Sequence, residues 1–151
     1  MHTLMNDLPN IAFQRGNHIR FCGAKLTVFV GSQIVTLLRD DIASIPMPNH
    51  WDLPGGGREA DESAWDCATR ETLEEVNLDL RATEPSWARA YQRQGHLTWF
   101  FVAHVPASRA AELVLGDEGQ AFKLMQVDEY LTHPKAIAYF QKRLADWIAG
   151  S

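Results

Sequence analysis

The alternation of apolar and polar positions divides the chain into strand-like and helix-like stretches. Residues Ala24 to Val30 and Gln33 to Arg39 are runs rich in Val, Ile, Leu and Phe. Gly31-Ser32 joins them, a dipeptide suited to a tight turn with Gly at positive φ, and the two runs predict an antiparallel pair. From Asp40 to Asn49, Pro46 and Pro48 prevent regular pairing, and Trp51-Asp52-Leu53 is a short extended entry to Pro54 and three glycines. Two further strands are expected at Ser86 to Arg93 and His96 to Val105, turning at Gln94-Gly95, the second carrying the β-favouring Trp99-Phe100-Phe101-Val102. Helical spacing takes over twice. Asp61 is placed to cap a helix running to about Val76, with Glu62 in its first turn against the positive end of the dipole and Asn77 where it ends. Near the C-terminus, Pro134 suits the first turn of a helix whose Ile137, Phe140, Leu144, Trp147 and Ile148 share one face, so Trp147 is read as core. Strands, a helix, more strands and a last helix lack strict βαβ alternation, which predicts a mixed sheet with helices against it, an α/β sandwich.

Composition narrows this picture. A chain of 151 residues, 46% hydrophobic and 22% charged, is in the range of one domain, and without repeats or linker-like tracts residues 1–151 are expected to form a single unit. Cys22 and Cys67 are isolated and lack metal-ligand spacing; they read as reduced thiols of a cytosol-like compartment, both as small buried hydrophobes. Residues Met1 to Asn10 show no leader pattern and no stretch approaches the roughly 18 uninterrupted apolar residues of a membrane span, so a cytoplasmic, soluble protein is expected. A net charge of −5 without a dense Lys/Arg cluster argues against a nucleic-acid polymer as partner, but a small anion held through a metal stays compatible.

The candidate chemistry lies in the first helix and the loop before it. Glu71, Glu74 and Glu75 stand at i, i+3 and i+4, three carboxylates on one helix face. Like charges there repel by a few tenths of a kcal/mol per pair, roughly, which a divalent cation would compensate; hard oxygen donors suit Mg²⁺ or Mn²⁺. A solvated acidic face is the competing explanation for such a cluster taken alone. Upstream, the run Pro54-Gly55-Gly56-Gly57 lets backbone approach a ligand closely, or is simply a flexible turn.

Taken together, Gly56, five residues, Glu62, seven residues, Arg70-Glu71, two residues and Glu74-Glu75 form the pattern of the Nudix box, over residues 56–78. The chain resembles the Nudix hydrolase family, of MutT-like type, at every charged position of that box, and Glu59 also matches an acidic position common in the loop. It departs in having Asn77 where a glycine is usual, a residue that tolerates the left-handed conformation, and Asp61 before the first glutamate. The resemblance implies a Nudix-type α/β/α sandwich and a Mg²⁺-dependent pyrophosphohydrolase, with Mn²⁺ as substitute. Its substrate would be a small nucleoside diphosphate derivative, a (d)NTP or an oxidised nucleotide among the candidates.

By the same resemblance, Glu71, Glu74, Glu75 and the Gly56 carbonyl would hold metal, with Glu74, Glu75 and Arg70 counted as catalytic, Arg70 by orienting the carboxylates. A further acid outside the box often completes such sites, and Glu118 in Gly116-Asp117-Glu118-Gly119-Gln120 is the candidate metal ligand or general base, against an ordinary polar turn. Arg39 and Arg58 are candidates for substrate phosphates, against plain surface charge. Trp87, Tyr91 and Trp99 could stack on a base, although core packing is the stronger explanation, and the six histidines lack zinc spacing. The alternative function is a catalytically silent nucleotide-binding or sensing module of the same fold. An isomerase of that fold would need a catalytic cysteine in a recognisable context, which Cys22 and Cys67 lack. The substrate and oligomeric state, a homodimer included, are left open.

Overall fold

The computed structural model describes residues 9–150, so residues 1–8 of the stretch inspected for a leader lie outside the described residues. The elements are β1 (Gly23–Val30), β2 (Gln33–Leu38), β3 (Trp51–Asp52), β4 (Gly55–Gly57), α1 (Ala64–Val76), β5 (Trp87–Arg93), β6 (His96–Val105), β7 (Ala121–Gln126), α2 (Val127–Thr132) and α3 (Ala138–Ile148). Both expected hairpins form. Val30 pairs with Gln33 across Gly31 at φ 65°, and Arg93 pairs with His96 across Gln94 and Gly95 at φ 55° and 80°, the double positive φ that matches strand twist.

All strands join one mixed sheet, in which β1 and β6 run parallel and the other pairs antiparallel. Because β6 occupies one edge of β1 along its whole length, β2 and β4 must share the other: β2 pairs at Phe29 and Val30, β4 at Gly23 to Lys25. On β2, β7 fills one edge, and β1 and β3 share the other. The β1–β2 hairpin therefore splays, and residues 51–57 wedge into the gap, carrying the glycine run between two central strands.

Alternation within the strands builds two cores. Ala24, Leu26, Val28 and Val30 of β1 and Trp99, Phe101, Ala103 and Val105 of β6 face α1, where Trp65, Cys67, Ala68 and Val76 cover them. Phe29, Phe100 and Val102 face the other way, onto Tyr130, Ile137, Phe140 and Leu144 of the α2–α3 side. Helices on both faces of a mixed sheet make the α/β sandwich expected from the sequence. No helix among the described residues is long and apolar enough to cross a membrane.

Three local expectations are corrected. Ser63, not Asp61, caps α1: its side chain accepts the Asp66 amide at 3.0 Å, leaving Glu62 outside the helix. Asp61 is held elsewhere, its carbonyl accepting the Gly16 amide and its carboxylate 3.3 Å from Arg15. Pro134 lies before α3, which starts at Ala138, because Trp51 draws the intervening chain into the sheet: its amide donates to Lys135 and its carbonyl accepts from Ile137. Ile137 just before α3 and Phe140 and Leu144 on it are buried, Trp147 packs against the second core and Ile148 is exposed. The six-residue edge strand β7 and the short α2 were not anticipated as such; only Met125 of β7 and Tyr130 of α2 are buried, so neither carries a strong periodic signal.

Candidate active site

The site grows from the two faces of α1. Ala64, Ala68, Thr72 and Val76, one turn apart, are buried against the sheet, which leaves Arg70, Glu71, Glu74 and Glu75 on the outer side. Asn77 ends the helix at φ 63°, its amide returning to the Leu73 carbonyl, so the substitution for glycine preserves the left-handed stop.

Arg70 ties the face to the loop. Its Nε and Nη2 donate to the two oxygens of Glu62 at 3.0 and 2.8 Å, and Nη2 also to the Gly57 carbonyl at 2.9 Å. Nη1 reaches Glu71 at 3.1 Å and both Glu74 oxygens at 3.1 Å, with Glu59 3.4 Å away. Glu62 also accepts the Glu59 amide at 2.8 Å. Burial by itself would raise the Glu62 carboxyl, but the bonds from Arg70 and the Glu59 amide outweigh it and hold the group below its ordinary value. Glu62 is thus the buried anchor of a bidentate pair. The same bonds, that to Glu62 foremost, raise Arg70 further above its already basic value.

Glycines let the loop meet the carboxylates. A Cβ on Gly56 would lie 2.6 Å from Glu71 Oε2, and Gly55, at φ 131°, would place one 2.1 Å from the Ala24 carbonyl oxygen. The Gly55 amide donates to Glu75 Oε1 at 2.8 Å. Burial nevertheless pushes Glu75 up to about 8, with Glu71 and Asp52 adding to the rise against Lys25 and the Gly55 amide; burial likewise raises Glu71. Both shifts come first from burial, which a cation held by these hard oxygen donors would offset, so they fit Mg²⁺ or Mn²⁺. Among the described residues no three acidic, His or Cys groups are already drawn together as an ion cage. Arg70 still holds Glu71 and Glu74.

Tertiary structure brings Glu118 to this face. The Gly116 amide donates to the Glu75 carbonyl at 2.8 Å, where a Cβ would lie 2.2 Å from the Glu74 carbonyl oxygen, and at the other end Gln120 donates to Leu38. So strapped, Asp117 and Glu118 line one depression with Glu59, Glu71, Glu74 and Glu75. An adjoining cleft of about 310 Å³ shares Glu75 and Glu118 and adds Arg39 and Asp52. Arg39 is thereby at the site, its Nη1 3.1 Å from Asp52 and its Nε on the Pro46 carbonyl at 2.9 Å.

Other expected residues fall elsewhere. Each of the three Arg58 nitrogens donates to a backbone carbonyl, of Glu62, Ile19 or Gly16, and the guanidinium lies 4.2 Å from the Phe21 ring centroid, so Arg58 fastens the N-terminal segment to the loop. Gly56 pairs with Ala24 of β1, its carbonyl accepts from the Cys67 thiol at 3.5 Å, and its missing side chain is what lets the Glu71 carboxylate come against it. Trp87 and Trp99 are core, and the Tyr91 hydroxyl is bound to Asp146 at 2.8 Å. Cys67 is buried and burial pushes its thiol up to about 12, whereas Cys22, expected to be buried, is exposed with its sulfur 3.4 Å from His96 Nδ1.

Sequence reading missed Lys25 and Asp52. Lys25 Nζ bridges Asp52 at 3.1 Å and the Leu53 and Gly55 carbonyls at 3.1 and 3.0 Å, and Asp52 also takes Arg39 and the Leu53 amide. A lone lysine between Ala24 and Leu26 in an otherwise apolar strand was the available signal.

Residues 23–148 match the model of the NUDIX domain. Among curated protein sequences no match is found. Solved structures with a similar fold include a Caenorhabditis elegans Ap4A hydrolase in binary complex (21% identity, TM-score 0.65, 85% of this chain and 99% of that one). A MutT protein from Methanosarcina mazei Go1 (19%, 0.66, 84% and 91%) and the Escherichia coli dihydroneopterin triphosphate pyrophosphohydrolase (16%, 0.63, 84% and 95%) are also similar. At these identities the likeness is one of fold.

Proposed function

The chain belongs to the Nudix family of hydrolases, and on that premise we propose that it is a divalent-metal-dependent pyrophosphohydrolase cleaving the diphosphate linkage of a small nucleoside diphosphate derivative. The observation that carries this reading is the convergence of Glu71, Glu74, Glu75 and Glu118, from one helix and one distant loop, around a single depression. The structures of similar fold include proteins named for Ap4A and for dihydroneopterin triphosphate, both diphosphate-containing compounds.

Glu71, Glu74 and Glu75 would hold Mg²⁺ or Mn²⁺. The ion would supply charge neutralisation on phosphate oxygens and a more acidic water. Glu118, which makes no hydrogen bond among the described residues and lines both depressions, would add an oxygen to the ion or take up the proton of the attacking water. Arg39, fixed by Asp52 and Pro46 at the edge of the adjoining cleft, orients a phosphate of the substrate. Arg70 does not meet substrate in this scheme. It keeps Glu71 and Glu74 in place and anchors them to the loop through Glu62.

The test is a panel of (d)NTPs, oxidised nucleotides, dinucleoside polyphosphates and nucleoside diphosphate sugars, assayed with Mg²⁺ and Mn²⁺ for released phosphate, pyrophosphate and nucleoside monophosphate. Turnover of at least one compound is expected, with kcat lowered about 100-fold or more in Glu75→Gln and in Glu118→Gln. Full activity in Glu75→Gln would refute the mechanism, and a silent panel would favour a binding module.

A further inference from the structure

Beyond the glycine strand β4, on the α3 side of the sheet, lies a second cleft of about 310 Å³ whose chemistry the proposed reaction leaves unused. Gly56 and Gly57 both line it, and a Cβ on Gly57 would meet nothing within 4 Å, whereas one on Gly56 would meet the Glu71 carboxylate. Arg143 of α3 forms part of its wall. This residue is 6% exposed, and among the described residues its guanidinium has no carboxylate partner. Its one hydrogen bond goes to Thr98 Oγ1 at 3.3 Å. Otherwise it is surrounded by aromatic rings, with Tyr91, Phe140 and Tyr139 centroids at 4.6, 5.3 and 5.6 Å. Asp146, one turn further along α3, is occupied by the Tyr91 hydroxyl and lies 3.9 Å from Arg89. Arg93, at the end of β5, sets a second guanidinium 4.2 Å from the Tyr139 ring, likewise without an ion pair among the described residues.

A buried cation without a counter-ion is costly to desolvate, and cation–π contacts return only part of that cost. Two guanidinium groups on one aromatic ring also repel each other; burial and Arg93 together lower the Arg143 pKa. The third cation of the cleft, Lys25, is already neutralised by Asp52 and two carbonyls. Two guanidinium groups without a carboxylate partner among the described residues suit an anionic group, and the planar donor fork of arginine matches phosphate oxygens.

We propose that this cleft binds a phosphate group borne on the arm of the substrate remote from the scissile diphosphate, with Arg143 as the specificity-determining residue and Arg93 closing on the same group. The enzyme then prefers nucleoside diphosphate derivatives with an additional phosphate on the sugar. This deepens the pyrophosphohydrolase reading and rests on it for the link between cleft and carboxylates; the binding of the anion itself does not.

Calorimetric titration of the full chain in Mg²⁺ with adenosine 5′-monophosphate and with its 2′,5′- and 3′,5′-bisphosphates tests it, since none of the three has an anhydride bond to cleave. At least one bisphosphate is expected to bind about tenfold more tightly than the monophosphate, the scale of one or two charge-assisted hydrogen bonds. Arg143→Met, which keeps an unbranched stem on the rings, is expected to reduce that advantage to about twofold or less. Arg93→Met, at an exposed position, reduces it in part and gives an answer even if the helix variant does not fold. Equal affinity for all three compounds, or an advantage that survives both substitutions, overturns the proposal. A chain that prefers a bisphosphate yet hydrolyses no diphosphate would refute the proposed reaction and leave this site standing.

Discussion

Replacing Arg70 by Met removes the ion pair that binds the acidic helix to its loop, together with the bonds to Glu71, Glu74 and Gly57. The Glu62 side chain is only 10% exposed and Arg70 22%, so the pair lies where desolvation matters. Removing one partner of a buried pair costs about 3–5 kcal/mol, because the other charge stays buried without its counter-ion. The Glu59 amide keeps one bond to Glu62, and part of the Arg70 side chain is wet, so the lower end applies: about 3 kcal/mol. With a urea m-value of about 2 kcal/mol/M, the unfolding midpoint should fall by about 1.5 M. Glu62→Gln with Arg70→Met removes both charges, and the double variant should be less destabilised than the sum of the single ones by about 1 to 2 kcal/mol. Circular dichroism in urea at pH 7, with chelator present, measures all four proteins. The pair also has a pH signature. The Glu62 carboxyl is held below its ordinary value, so its contribution is complete above the unfolded-state pKa of about 4.3 and is lost as pH falls through the folded value. An Arg70→Met protein within about 0.5 kcal/mol of the wild type, or strictly additive variants, would refute this account.

Adjacent glycines should fail differently. Gly55→Ala forces a Cβ against backbone at positive φ and should cost several kcal/mol, roughly, or prevent folding. Gly56→Ala displaces only the end of the Glu71 side chain, so stability should change by less than about 1 kcal/mol while metal-dependent turnover drops; thermal melts and kinetics on both variants separate the two effects. Without metal, Glu75→Gln should stabilise the protein at pH 8 and not at pH 4. Burial raises the folded-state pKa from 4.5 to about 8, so ionisation of Glu75 draws stability from the metal-free fold as pH rises through that interval. At about 1.36 kcal/mol per decade the ceiling is about 5 kcal/mol, and water entering the site reduces it to about 1–2. A melting temperature lowered by this substitution at pH 8 would contradict the assigned cause.

What could be read from the sequence was local in origin. Strand alternation in Ala24 to Val30, the positive-φ turns at Gly31 and Gln94-Gly95, the Asn77 stop and the stripe of Arg70, Glu71, Glu74 and Glu75 all depend on neighbours within about one helical turn or one strand pair. Errors arose where a distant partner decided. Asp61 is a good cap by type, yet contacts from Gly16 and Arg15 hold it and Ser63 takes the role. Pro134 suits a helix start, but the pairing of Trp51 with 135–137 delays α3. Arg58 resembles Arg39 in sequence as a basic residue near the motif, and only the folded chain brings the carbonyls of Gly16, Ile19 and Glu62 to it.

The sequence by itself determined the charge register of α1 and the need for backbone close to it, because helix periodicity and glycine's missing side chain act at short range. Tertiary structure decided that 51–57 wedges between β1 and β2, that Glu118 comes against a helix more than forty residues earlier in the chain, and that Arg143 is buried without a counter-ion among the described residues. Those outcomes depend on which strand edges remain open and which cavities the two helical layers leave, quantities that exist only once the sheet has formed.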